Sequence, residues 1–186
     1  MKRWALAMLL LWTLPAAALE LAGINVDNKA KVGASELVLN GAGIRTRVFF
    51  KVYVGALYLA EKKSTTADAL ASGGAKRVAL TLLRELSAQQ LSEALNDGIH
   101  ANNSAAEVEA LKPRIDELLA LFTDGKKGDV ILIDYLPESG AAVSVNGAPR
   151  GKPIAGEDFY RALLRIWLGD NPVDNDLKKG MLGQGG

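Results

Sequence analysis

The chain has 186 residues, with 22 lysines and arginines, 21 aspartates and glutamates, one histidine and no cysteine. A nearly neutral chain has no basic surplus that would attract nucleic acid or anionic lipid over a long range. Without cysteine, disulfides, thiol chemistry and thiolate metal sites are excluded, and the lone His100 cannot supply an imidazole pair. We therefore expect no metal, no cofactor and no nucleic-acid partner.

Residues 1–18 have the three-part pattern of a secretory signal peptide. Lys2 and Arg3 precede an apolar stretch, and small residues lead to a predicted cleavage after Ala18. The alternative, a retained anchor, fits less well, because the apolar stretch is shorter than the roughly 20 residues of a membrane-spanning helix. The pattern predicts an exported, periplasmic protein that is soluble after cleavage, without stable membrane insertion. The remaining length predicts one domain over residues 19–186.

The first part of that domain is rich in strand patterns. Residues 21–43 predict short strands separated by turns of Asn, Asp and Gly. Residues 44–60 predict two β-rich runs joined near Val54 and Gly55. A short helix with a hydroxyl cap is predicted from Ser64, and a further strand from Lys76.

Two helices with the same start signal are predicted next. The segments SAQQ, from Ser87, and SAAE, from Ser104, match the capping box, in which two side chains bond each other's backbone N–H groups. Apolar residues then recur every three or four positions, which predicts one buried face for each helix. Pro113 lies inside the second helix and predicts a kink or an early end there.

The last third of the chain predicts strands and then helices. Residues 128–151 predict a β-meander with turns at ESG and NGAP. GEDFYRALLRIWLG predicts a helix that is buried on more than one side and closed by Gly169, and a short helix or turn follows. The whole order predicts an α+β domain, with helices packed on a mainly antiparallel sheet.

The segment NGAGIRTRVFFKVYVGALYLA, residues 40–60, carries charges within a strand pattern. If no bulge intervenes, alternation places the side chains of Arg45, Arg47, Phe49, Lys51 and Tyr53 on one face. The composition of this face alone favours its exposure to solvent. A cleft for an amphiphilic acid would also need this mixture, because a guanidinium binds the carboxylate and aromatic rings line the tail. The alternation leaves both interpretations open.

Three segments together resemble the chalcone isomerase superfamily, most closely its bacterial, exported chalcone-isomerase-like branch. They are residues 40–60, 80–99 and 146–183. The resemblance implies an open-faced β-sandwich, in which helices cover a large antiparallel sheet with a ligand cleft between them. It also implies that the arginine of GAGxR, here Arg45, projects into the cleft.

The same resemblance bears on the reaction and on the ligand. In plant chalcone isomerases a helix tyrosine holds water and the substrate ketone; the matching residue here is Leu91, and a helix asparagine matches Gly98. Loss of one preorganised donor costs on the order of a hundredfold in rate, so flavonoid isomerisation is not expected. In fatty-acid-binding members an arginine and a tyrosine hold the carboxylate. The family's strand lysine maps onto Lys51, and the strand residue two positions after that lysine maps onto Tyr53.

Three functional hypotheses follow. The first is a non-catalytic periplasmic binding protein for a small amphiphilic acid such as a fatty acid, with Arg45, Tyr53, Lys51 and Leu91 as ligand-binding residues. The alternative is an isomerase or lyase acting on an enone or related carbonyl compound, in which Arg45 polarises the oxygen and Tyr53 donates a proton or holds water. A third hypothesis, an interaction module, would require an exposed apolar patch.

Three other residues are candidates of lower rank. Arg84 follows a strand and could reach the cleft, although a surface ion pair with Glu85 or Glu93 is favoured. Trp167 and Phe159 are assigned to the core, because large aromatic side chains in a helix that is apolar around most of its circumference are usually buried.

Overall fold

The computed structural model describes residues 19–185. Seven strands form one antiparallel sheet, in which each strand pairs with its neighbours along the chain. In order across the sheet they are β3 (Lys29–Val32), β4 (Ser35–Arg47), β5 (Phe50–Leu59), β6 (Lys76–Leu82), β7 (Val130–Leu136), β8 (Gly140–Val145) and β9 (Ala148–Ile154). Two short N-terminal strands, β1 (Leu19–Leu21) and β2 (Ile24–Val26), pair with each other.

Five helices connect or follow these strands in the described part of the chain. Their bounds are α1 (Thr66–Ala71), α2 (Ala88–Asn102), α3 (Ala105–Leu119), α4 (Glu157–Leu168) and α5 (Asn175–Met181). Helix α1 joins β5 to β6, α2 and α3 join β6 to β7, and α4 and α5 follow β9. This order confirms the predicted α+β fold.

Two apolar clusters cover β5 from both sides. The larger one joins Tyr53, Leu57 and Leu59 of β5 to the buried faces of α2, α3 and α4. The smaller one joins Val54, Ala56 and Tyr58 to buried residues of β2, β3 and β4. Because alternate residues of β5 belong to different clusters, the strand is buried on both faces, which explains its almost unbroken apolar sequence.

The predicted starts of α2 and α3 are confirmed in detail. Ser87 Oγ accepts from Gln90 N at 3.1 Å, and Gln90 Oε1 accepts from Ser87 N at 3.0 Å. Ser104 and Glu107 form the same reciprocal pair. Of the kink or early end predicted at Pro113, the early end does not occur: α3 continues through the proline, because buried Val108, Leu111, Ile115 and Leu118 hold the helix on both sides of it.

The prediction of a join near Val54 and Gly55 is also wrong. Both residues lie inside β5, and the hairpin turn is at Val48 and Phe49. Gly55 is not a turn residue but a packing residue, since a Cβ at that position would lie 3.1 Å from Leu177 Cδ1 of α5. The glycine therefore allows α5 to approach the sheet closely.

The NGAG segment, residues 40–43, also allows α5 to pack closely on the sheet. A Cβ on Gly41 would overlap the carbonyl oxygen of Gly180, and one on Gly43 would lie 3.1 Å from Leu177 Cα. The buried Asn40 side chain donates to Met181 O at 2.7 Å and accepts from Lys63 N at 2.6 Å. The segment therefore forms the surface on which α5 packs.

Candidate ligand-binding cavity

A cavity of about 190 Å³ lies between the sheet and the helices. Most of its wall is apolar. The sheet contributes Val52, Leu80 and Ile131, and the helices contribute Leu91, Leu95 and Ile166. The capping box and the apolar repeat of α2 place Leu91 and Leu95 on the face that covers the sheet.

Three arginines also line this cavity: Arg45, Arg47 and Arg84. No aspartate or glutamate of residues 19–185 does. Arg47 and Arg84 are exposed and Arg45 is half-buried, so the cationic side of the cavity is the side open to solvent. Cations without a lining carboxylate give the cavity a positive potential, which favours an anionic group there.

Arg45 and Tyr53 are direct cross-strand partners in the β4–β5 ladder. The Arg45 Cζ atom lies 5.6 Å from the centroid of the Tyr53 ring. Arg45 Nε is buried and has no hydrogen-bond partner among the described residues. Buried donors are ordinarily satisfied, so the unpaired Nε indicates that the hydrogen bonding of the Arg45 guanidinium beside the cavity is incomplete.

A bulge explains why these two side chains meet. The ladder pairs Arg45 with Tyr53 but Thr46 with Lys51, so Val52 has no partner of its own in β4. Val52 and Tyr53 consequently contact the same apolar cluster. On the other side of the bulge, the Thr46 backbone N–H donates to Asp174 Oδ2 at 2.9 Å and anchors the end of β4.

Tyr53 is connected to α4 by a buried hydrogen bond. Trp167 Nε1 donates to Tyr53 Oη at 2.9 Å, and the two residues are only 1% and 4% exposed, respectively. Burial raises the pKa of the Tyr53 phenol, and the Arg45 charge and the Trp167 donor oppose that rise in part. The phenol is therefore neutral near pH 7, and its own proton is unused within the described residues.

The predicted site residues take different positions. Arg45, Tyr53 and Leu91 all line the cavity. Lys51 is exposed on β5 and does not line it. The common face was expected only without a bulge, and it does not include Lys51, because the bulge at Val52 separates Lys51 from the Arg45–Tyr53 pair.

Two lining residues differ from their sequence-based assignment. Trp167 is buried as predicted, but it also lines the cavity and bonds to Tyr53, a contact for which the helix pattern gives no signal. Arg84 lines the cavity, and within the described residues it forms no ion pair with Glu85 or Glu93. Its Cζ lies 5.3 Å from the Phe50 ring centroid instead.

The remaining candidates are structural. Phe159 is fully buried in the core, as predicted. Gly98 lies where α2 packs on α4, since a Cβ there would lie 2.7 Å from Ile166 Cγ2. His100 is exposed in the last turn of α2, and residues 19–185 contain no cluster of three or more His, Asp or Glu side chains suited to a metal ion.

None of the helices in the described range combines the length and apolarity needed to cross a membrane.

Comparison with known proteins identifies the family. Residues 18–183 match the model of the family described as chalcone isomerase-like. Among solved structures, a fatty-acid binding protein of Arabidopsis thaliana is similar, with a TM-score of 0.66 and 13% identity over 86% of this chain and 92% of that one. At this identity the similarity establishes the fold alone, the expected open-faced β-sandwich. No curated protein sequence matches the chain. Because the family match spans almost the whole chain, the protein belongs to the chalcone isomerase-like family.

Proposed function

We propose that the protein binds a small amphiphilic acid, such as a fatty acid, in this cavity and does not transform it. One observation carries the proposal: a half-buried guanidinium, Arg45, and a neutral phenol, Tyr53, lie side by side at the cationic side of a mostly apolar cavity. A guanidinium binds a carboxylate through charge-assisted hydrogen bonds, and a neutral phenol adds a further one. The apolar wall would take the tail, at about 0.8 kcal/mol for each buried methylene.

The size of the cavity narrows the ligand class. Its volume of about 190 Å³ is below the roughly 300 Å³ at the lower end of typical ligand pockets. A short or medium-chain acid is therefore favoured over a long-chain one. A long chain would have to displace side chains of the apolar wall or leave part of its tail in solvent.

The Arabidopsis protein that shares this fold is named for fatty-acid binding. A shared fold alone does not establish a shared ligand, so the name supports the ligand class only together with the residues of this cavity. Those residues supply the required chemistry independently, through one half-buried guanidinium, one phenol and an apolar wall.

The pKa of Tyr53 and the residue at position 91 speak against the isomerase or lyase hypothesis. An acid–base catalyst works best with a pKa near the operating pH, whereas burial raises the pKa of Tyr53 above its ordinary value of 10. The helix position that carries a tyrosine in plant chalcone isomerases is Leu91, which has no polar group. Binding without turnover is therefore the function we propose.

We also propose that the protein acts in the periplasm, as a member of a bacterial, exported branch of the family. This part of the proposal depends on the signal-peptide pattern of residues 1–18, which lie outside the described residues. The intact mass of protein expressed with its own N-terminus tests it. Cleavage after Ala18 is expected, and an uncleaved chain would contradict it.

Native mass spectrometry of the gently purified protein tests the binding proposal. We expect a co-purifying or added acid, decanoate for example, on the wild type and its loss in Arg45→Ala. Arg161→Ala is the matched control, because Arg161 is exposed on α4 and does not line the cavity. Equal binding by the wild type and Arg45→Ala, or no binding of any acid by the wild type, would overturn the proposal.

A further inference from the structure

The tip of the β4–β5 hairpin is an exposed apolar surface. Val48, Phe49 and Phe50, here called the hairpin tip, are 77%, 90% and 61% exposed. Among residues 19–185 the only other exposed large apolar side chain is Leu19, at 39%. Isolated exposed apolar residues are ordinary, whereas three consecutive ones on a projecting turn indicate a surface that meets another apolar phase.

The backbone of this turn is unfavourable for the residues that form it. Val48 has a φ of 60°, a conformation in which a β-branched residue is an outlier. A two-residue hairpin with positive φ at its first position ordinarily carries glycine there. The β8–β9 turn of the same chain follows such rules, with Asn146 and Gly147 at φ 51° and 79°. The hairpin tip keeps bulky apolar side chains at the expense of local stability, which indicates a role other than folding.

Cations surround the hairpin tip. Arg47 precedes the tip and Lys51 follows it. Arg84 lies over the Phe50 ring, with its Cζ atom 5.3 Å from the ring centroid. None of the three forms an ion pair within the described residues. The nearby carboxylate of Asp174 is engaged by backbone N–H groups, including that of Thr46 at 2.9 Å. Apolar side chains flanked by free cations are the features of segments that dock on anionic bilayers.

A bilayer fits this surface better than a protein does. A stable protein interface buries about 800 Å² on each partner, far more than three side chains on a turn provide. Reversible attachment to a bilayer needs only a few inserted apolar side chains, with basic residues at the headgroups. Arg and Lys can also reach the headgroups while their aliphatic stems stay against apolar surface.

We propose that the hairpin tip docks the protein peripherally on an anionic lipid bilayer. Phe49 enters the apolar layer, and Arg47 and Lys51 lie against the phosphate headgroups. Val48 and Phe50 also line the cavity, so docking brings the cavity opening to the membrane surface. Exchange of an acid between bilayer and cavity would follow, and this consequence alone rests on the proposed function.

Co-sedimentation with lipid vesicles, without added fatty acid, tests the docking. We would compare vesicles of phosphatidylcholine alone with an equal mixture of phosphatidylcholine and phosphatidylglycerol. The wild type is expected to prefer the anionic vesicles. Phe49→Ser should weaken binding about tenfold or more, from the lost burial of one phenyl ring, and Lys51→Glu by about tenfold.

Two matched controls separate the hairpin tip from general surface effects. Leu19→Ser removes the other exposed apolar side chain, and Lys62→Glu reverses an exposed charge beyond the opposite end of β5. Both should bind the vesicles as the wild type does. The double variant Val48→Gly/Phe49→Ser removes the apolar surface and relieves the positive φ, so it should melt no lower than the wild type yet lose binding.

Absence of vesicle binding by the wild type, or equal binding by wild type and Phe49→Ser, would overturn the proposal. Self-association that is lost in Phe49→Ser, measured by sedimentation velocity without vesicles, would assign the hairpin tip to contacts between copies instead. Acid binding through Arg45 is measured without vesicles, so failure of docking and failure of the proposed function give different results.

Discussion

At the scale of single residues, the cavity depends on a short chain of contacts. Trp167 donates to Tyr53, Tyr53 lies beside Arg45, and Arg45 keeps a buried nitrogen without a partner. The indole N–H occupies one lone pair of the phenol oxygen and leaves its proton for a ligand. These contacts hold the Arg45 and Tyr53 side chains in place beside the cavity, which would reduce the ordering cost of the binding that we propose.

This chain of contacts makes Tyr53→Phe costly for stability as well as for affinity. The variant leaves the buried Trp167 N–H unpaired, which should lower the free energy of unfolding by about 1–3 kcal/mol. In a Trp167→Phe background the same change should cost much less, because no donor is left unpaired. Urea unfolding followed by circular dichroism measures all four proteins. If Tyr53→Phe lowered the unfolding free energy equally in both backgrounds, the hydrogen bond would not couple Tyr53 to Trp167.

At the scale of secondary-structure elements, the bulge and the C-terminal helix position the site. The extra residue Val52 turns Tyr53 toward the helices and Lys51 away from the cavity. Helix α5 packs on the glycines of β4 and β5, and Asp174 at its N-cap holds the end of β4 beside Arg45. The glycine-rich strand and the C-terminal segment are therefore one structural unit.

Gly41→Ala tests this unit. The added Cβ would meet backbone atoms of Gly180 and Gly183, which cannot move cheaply, so we expect a loss of about 1–3 kcal/mol or more in unfolding free energy. Gly73→Ala is the matched control, because nothing lies within 4 Å of a Cβ there and its φ is ordinary. Thermal unfolding of both variants measures the difference. A Gly41→Ala protein as stable as Gly73→Ala would contradict the packing described for α5.

Glu107 connects two helices in a pH-dependent way. It accepts from Ser104 at the start of α3 and from Arg165 Nη1 of α4 at 3.0 Å. The hydrogen bond from the Ser104 backbone is the largest cause, and together with the bond from Arg165 it lowers the pKa of the Glu107 carboxyl from 4.5 to about 2. The folded pKa is below the unfolded one, so the stabilisation is present above about pH 4.5 and is lost as pH falls toward 2.

Glu107→Gln should therefore lower the denaturation midpoint at pH 6, by an amount that shrinks steadily as the pH falls from about 4.5 to 2. Denaturant titrations of wild type and variant across this range measure the difference. Glu109→Gln is the control, because Glu109 is exposed on the same helix and forms no ion pair within the described residues. A difference in denaturation midpoint between wild type and Glu107→Gln that is as large at pH 2 as at pH 6 would exclude this linkage.

At the scale of the whole molecule, local signals predicted most of the fold. The capping boxes of Ser87 and Ser104, the β-meander and the buried α4 follow from short-range patterns, and all are confirmed. The hairpin turn was missed because Val48 and Phe49 have no turn propensity, and the bulge at Val52 has no local signal. Long-range contacts such as Trp167 to Tyr53 depend on tertiary packing, which a single sequence does not encode locally.

The same limits apply to the candidate site. Arg45, Tyr53 and Leu91 were predicted from a resemblance and do line the cavity, whereas Lys51 required an unbroken alternation that the bulge removes. For Arg84 the sequence analysis favours a surface ion pair with Glu85 or Glu93, and neither pair forms among the described residues. Its position over Phe50 follows from the place of the hairpin turn, which the sequence pattern did not reveal.

We propose that the cavity holds an acid with its carboxylate at the Arg45–Tyr53 pair. A crystal structure of the protein with decanoate tests it most directly. We expect the carboxylate within hydrogen-bonding distance, about 3 Å, of the Arg45 guanidinium and Tyr53 Oη, with the tail along Leu91 and Leu95. An acid bound elsewhere, or an empty cavity at saturating decanoate, would contradict the account.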